Sequence, residues 1–195
     1  MRIIPGVLAV GLAVAACQPR TATEPVASGA APAAASDATA TTPAFSHDPA
    51  VDAFGFYMPT SDIQVGNLRL DNIAVGTPDE LREWEAGKRT ETYAPVMMTF
   101  EDVTSPMQSN EMGGENHSVQ VRVLPVRYAV DGHTLSFAGK DAKLGDVLFQ
   151  GSWDMAAIKK AQGGEPAGDA PVLTGRLTAG GKTFEDARFT WFGGD

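Results

Sequence analysis

The chain has 195 residues, of which 43% are apolar, and a formal charge of −9 at neutral pH. An acidic surface is repelled by phosphate backbones and anionic headgroups, which argues against a nucleic-acid partner and favours a basic protein partner. With one cysteine no internal disulfide can form, so a folded domain has to rest on an adequate apolar core.

The chain starts with the basic Arg2 and an apolar run from Ile3 to Ala15. A positive start, an apolar stretch of roughly 7–15 residues and small residues before a cut are the marks of a secretory signal. The run falls short of the ~20 residues that a bilayer-spanning helix needs. Val14-Ala15-Ala16-Cys17 resembles the lipobox of bacterial lipoproteins. The resemblance implies removal of residues 1–16, diacylglycerol on the Cys17 thiol and an acyl chain such as palmitate on its amine. Burying chain methylenes at ~0.8 kcal/mol each, with more than one chain, gives stable anchoring. In Gram-negative members an aspartate after the cysteine favours retention in the inner membrane. Gln18 here implies the periplasmic face of the outer membrane, in the cell envelope.

Residues 17–47 reduce largely to Ala, Thr, Pro and Ser, with no aromatic residue before Phe45. Such a segment buries too little apolar surface to offset its ordering entropy, so a disordered tether is expected, roughly 30 Å end to end. His47 falls at its end and reads as exposed. A single β-rich periplasmic domain is expected over residues 48–195, close to the usual domain size.

Within that domain Ile63 and Val65, Leu68 and Leu70, and Ile73 and Val75 sit two apart, the spacing of a strand face. Gly66-Asn67 breaks the phase as a turn or bulge. Thr77-Pro78-Asp79-Glu80 predicts a capped short helix with Leu81 and Trp84 on one face and Gly87 as its stop. Strands follow over Tyr93–Val103 and from Val119 onward. Pro125 marks an edge, a bulge or a corner, because proline cannot donate to a ladder. Asp131-Gly132 predicts a type I′ hairpin turn. Thr134–Ala138 and Leu148–Trp153 continue the sheet, Asp154 caps a second helix over Met155–Ala161, and Gly180-Gly181 turns the chain into a last aromatic strand.

The prediction is a mainly β (α+β) domain. Its antiparallel sheet, barrel-like or sandwich, has about eight or nine strands and two short helices. Leu173 to Thr183, with its Gly180-Gly181 turn, resembles the late hairpin of the YceI-like family, periplasmic lipocalin-shaped barrels that hold isoprenoid chains. That likeness implies a barrel.

Motifs for catalysis are missing: the chain has no G-x-S-x-G and no H-E-x-x-H. Glu101/Asp102 and Glu185/Asp186 are sequence neighbours, so on a strand each pair points to opposite faces and reads as solvated charge. The expectation is a lipoprotein without enzymatic activity and without a cofactor beyond the lipid on Cys17. Its function would be binding a protein, as periplasmic lysozyme inhibitors, immunity proteins and envelope-assembly subunits do. Partner-binding residues are expected on two loops: Thr104, Gln108, Asn110, Glu111, Glu115 and Asn116 on one, Gly163, Glu165 and Asp169 on the other. The alternative is a carrier of a small apolar ligand, with Phe100, Tyr128, Phe149, Trp153 and Trp191 lining the barrel. A third reading is an envelope enzyme or a copper protein. Met107, Met112 and His117 supply the thioether and imidazole that suit Cu(I).

Overall fold

A computed structural model describes residues 44–109, 114–165 and 170–194. They belong to one compact unit, residues 41–195. More than half of the described residues are in strands. The strands are β1 (Phe45–His47), β2 (Gly55–Pro59), β3 (Gln64–Val65), β4 (Leu68–Val75), β5 (Val96–Asp102), β6 (Met107–Ser109) and β7 (Glu115–His117). There follow β8 (Gln120–Val123), β9 (Pro125–Val130), β10 (Thr134–Asp141), β11 (Gly145–Trp153), β12 (Leu173–Ala179) and β13 (Lys182–Phe192). Two helices, α1 (Pro78–Glu85) and α2 (Met155–Gln162), complete it.

One curled sheet runs β1-β9-β10-β11-β12-β13-β2-β4-β5-β8, with β3 hung on β4, while β6 and β7 form a separate two-stranded ribbon. The predicted count of eight or nine strands is too low, because the loop expected over Thr104–Asn116 contains the ribbon and because Pro125 divides one long strand signal into β8 and β9. The sheet is also mixed rather than antiparallel: β1 pairs with β9 in parallel, Phe45 against Tyr128 and His47 against Val130.

Local chemistry accounts for most elements. Gly66 takes a positive φ of 61° and turns β3 into β4. Asp71 is an extra residue in β4, since Leu70 faces Phe100 while Asn72 faces Thr99, and this bulge shifts the apolar phase between Leu70 and Ile73. The predicted capping box is complete: Glu80 N donates to Thr77 Oγ1 at 3.3 Å and Thr77 N to Glu80 Oε2 at 2.8 Å. Asp154 caps α2 by accepting from the amides of Ala156 and Ala157, each at 3.0 Å. The Asp131-Gly132 turn is not type I′, as Gly132 lacks the positive φ. Asp131 Oδ1 instead accepts from the amides of His133 at 2.7 Å and Thr134 at 2.8 Å. Gly180 and Gly181, at φ 57° and 71°, supply the two positive values that join β12 to β13.

The inner face is filled by side chains. Tyr57, Met98, Phe100, Tyr128, Leu135, Leu177 and Phe189 have no accessible surface, and Phe149 and Trp153 are buried among them. Phe149 meets Phe189 edge-on with centroids 5.6 Å apart. Trp191 is only partly buried; its Nε1 donates to the Phe54 carbonyl at 2.9 Å. The last strand is pinned on both sides, by β12 and by β2.

His47 does not lie exposed at the end of a tether. Its side chain is 5% exposed, and Nδ1–H donates to both oxygens of Glu85 on α1, at 2.9 and 3.0 Å. Tyr128 Oη reaches Glu85 Oε1 at 3.3 Å, and burial with the Glu85 charge pushes its phenol up. Phe45 packs on Tyr128 and Trp84, and the Arg89 guanidinium stacks over the Phe45 ring at 4.5 Å. The short β1 is thus held through its side chains. Replacing Glu85 by Ala should lower unfolding free energy by about 1–3 kcal/mol, the range for a hydrogen bond to a charged group with its partner left buried. Urea titrations of the two proteins would measure it, and equal midpoints would show that the contact contributes nothing.

Candidate functional site

The chain from Val103 to Val119 leaves the sheet after β5 and returns to it at β8. Its base is fixed. Thr104 donates its hydroxyl at 2.6 Å and its amide at 3.0 Å to Asp102 Oδ1, which holds that carboxyl below its usual range. The Ser105 hydroxyl accepts from Val119 N at 3.2 Å, and Asp102 N donates to Val119 O at 2.9 Å. Above this base β6 and β7 pair antiparallel, Met107 with His117, Gln108 with Asn116 and Ser109 with Glu115.

A groove of about 660 Å³ lies between the ribbon, the outward side chains of Ser118, Gln120 and Arg122 around β8, and Glu91 and Thr92 before β5. Its walls are mostly polar, with Leu124 as the apolar exception. Among the described residues no ion pair engages Arg122.

The structure brings three of the predicted residues, Gln108, Asn116 and His117, to this groove. Thr104 belongs to the base, and Glu115 and Met107 are exposed on the ribbon. Gly163 and Glu165 lie elsewhere, at the C-terminal end of α2, where Gly163 is the C-cap. The two predicted loops therefore do not share this groove. Cys17, Asn110, Glu111, Met112 and Asp169 lie outside the described residues.

Sequence reasoning missed a second polar cluster beside the groove. Glu101 is not solvated surface charge: it is 5% exposed, on the outer face of β5 next to the equally buried Thr99. Its partner is Arg69 Nη2 across the strand pair, at 3.4 Å. The bulge in β4 adds Asp71, whose carboxyl is pushed up by burial first and by the Glu101 charge second, against the opposing effects of Asn72 and Arg69. Asn72 Nδ2 donates to Asp71 Oδ2 at 2.8 Å, while its buried Oδ1 has no partner among the described residues. The signal for this cluster was the register shift, which no local pattern around Asp71 or Glu101 encodes.

Among the described residues no group of three or more His, Cys, Asp or Glu side chains is placed to hold a metal ion. No described helix is long and apolar enough to cross a membrane. No family model matches the chain, and neither a curated protein nor a solved structure matches it. The segment with the YceI-like resemblance, Leu173–Thr183, is the β12–β13 hairpin.

The raised Asp71 pKa has a definite consequence for stability. The fold favours the protonated form, so its contribution is fully present below the unfolded pKa and is lost as pH rises through the folded value. Asp71→Asn should therefore gain on the parent protein as pH is raised from about 3 to about 7. Denaturation at a series of pH values tests it; a constant difference would show that Asp71 does not carry this linkage.

Proposed function

We propose that the protein is a lipid-anchored, non-catalytic binding protein of the periplasmic face of the outer membrane, and that the groove beside the β6–β7 ribbon receives part of a protein partner. One observation carries the binding part. The connection between β5 and β8 forms its own two-stranded ribbon, is braced at its base, and borders a groove of about 660 Å³ with a polar wall. A rigid scaffold carrying a variable projection is the usual arrangement for recognition.

Composition and packing support the same reading. Net acidity favours a basic partner, while the groove itself carries one charge of each sign, Glu91 and Arg122, with Glu115 exposed on the ribbon, which suits a partner surface of mixed charge. Of the five aromatic residues expected to line an apolar-ligand cavity, Phe100, Tyr128, Phe149 and Trp153 are buried in the core and Trp191 is partly buried against it. Inhibitor, immunity and assembly proteins share these requirements. The anchor rests on the lipobox-like Val14-Ala15-Ala16-Cys17.

Two experiments check the two halves separately. A photo-cross-linking residue at Gln120 should capture a protein in cells of the native host, whereas the same residue at the exposed Asp146 on β11 should not. Equal capture from both positions, or none from Gln120, would count against the groove. The parent chain should take up a labelled palmitate analogue in cells of the native host and Cys17→Ser should lose that label; no label on the parent, or equal label on both, would rule out the lipid anchor on Cys17.

A further inference from the structure

His117, which lines the groove, faces Met107 across the ribbon, a residue that the partner-binding reading leaves unused. Met107 and His117 are direct cross-strand partners. Ser118 N donates to Pro106 O at 2.8 Å, so the 106/118 position is the hydrogen-bonded one and 107/117 beside it is the non-hydrogen-bonded one. In an antiparallel ladder that position brings Cα atoms to about 4.5 Å, with both side chains leaving on the same face.

The imidazole is oriented as well. His117 Nδ1 lies 2.9 Å from the carbonyl oxygen of Ser105. A carbonyl can only accept, so Nδ1 carries the proton and the lone pair of the neutral ring sits on Nε2. A backbone carbonyl holding one ring nitrogen so that the other can ligate is a common support for metal-binding histidines. No hydrogen bond from a described residue reaches Nε2. Met107 is 49% exposed, so its thioether is not serving as core filler.

We propose that Met107 Sδ and His117 Nε2 form a surface site for Cu(I). The ligand chemistry selects the ion. Calcium and magnesium take oxygen ligands, and structural zinc takes four ligands from thiolate, imidazole and carboxylate. A thioether is soft and uncharged and suits Cu(I), which accepts few ligands. Two protein ligands leave the ion open to a third from solvent or from another molecule, so the site would exchange its metal. The ion remains Cu(I) throughout, and no redox step is involved. The inference does not rest on the protein-partner reading, though the two share His117.

The test uses the full chain carrying Cys17→Ser, which removes the competing thiol, under anaerobic conditions. Silver(I), a redox-inert stand-in, is titrated while the methionine methyl and histidine ring signals are followed by NMR, and Cu(I) affinity is measured against a chromophoric chelator. The first equivalent should shift the Met107 methyl and the His117 ring together. Met107→Leu and His117→Gln should each weaken Cu(I) binding roughly 10-fold or more, while Met97→Leu on β5 leaves it unchanged. Neither Met107 nor His117 belongs to the buried core, so the amide spectra of the main sheet should match the parent and separate loss of binding from loss of fold. Shifts confined to other methionines, no shift at all, or unchanged affinity in both variants would overturn the proposal.

Discussion

The fold depends on a corner at Leu124-Pro125. A long curled sheet has two edges to protect, because an exposed edge strand offers unpaired amides and carbonyls to other chains. Here β8, at one end of the strand order, runs into β9, next to the other end, after the single residue Leu124. One stretch of chain thereby serves both ends of the sheet. Proline suits the corner because the ladder is interrupted there and no donor is lost. Gly139 on β10 makes the approach possible: a Cβ there would stand 2.7 Å from the Leu124 carbonyl oxygen and from the Val123 side chain. A larger residue would push β10 away from the corner.

The second requirement is cover for β9 on the side away from β10. Three residues of β1 would not hold there by ladder hydrogen bonds alone, since each contributes about 1 kcal/mol net against a similar ordering entropy per residue. Side chains supply the difference. Phe45 inserts between Trp84 and Tyr128, and His47 donates to Glu85 from a nearly buried position. α1 is therefore more than a plug on the sheet. Its capping box fixes where it starts, Leu81 and Trp84 bury one face, and Glu85 on its last turn fastens the start of the domain.

These devices differ in how far they can be read from the sequence. The capping box, the Asp154 cap, the Gly180-Gly181 turn and the break at Pro125 all use side chains within a few residues of one another, and each was legible. The parallel pairing of β1 was not, because Phe45 and His47 gain their meaning from Tyr128, Trp84 and Glu85, all distant in sequence. Glu101 was misread for the same reason. Its neighbour Asp102 does face the other way, but its burial comes from Arg69 and the bulge at Asp71. Of the residues that line the groove, Gln108, Asn116 and His117 stand out by loop composition, while Gln120 and Arg122 are hidden among strand valines. Gly163 and Glu165 were equally loop-like and do not reach the groove.

The length of the β5–β8 connection is the physical feature on which the proposed binding function leans most. β5 and β8 are antiparallel neighbours, and a hairpin of about 2–5 residues would join them. The chain instead runs from Val103 to Val119 and spends hydrogen bonds from Asp102, Thr104, Ser105 and His117 on fixing the foot of the excursion. These bonds lie within the excursion and at its foot, outside the core cluster. A segment with no task in the fold would be expected to shorten or to stay loose, since each doubling of a loop costs only about 0.6 kcal/mol and requires no bracing. Bracing matters when the groups above it must be presented in a fixed geometry. That condition is shared by a groove that recognises a protein and by a thioether and an imidazole set side by side on one ribbon.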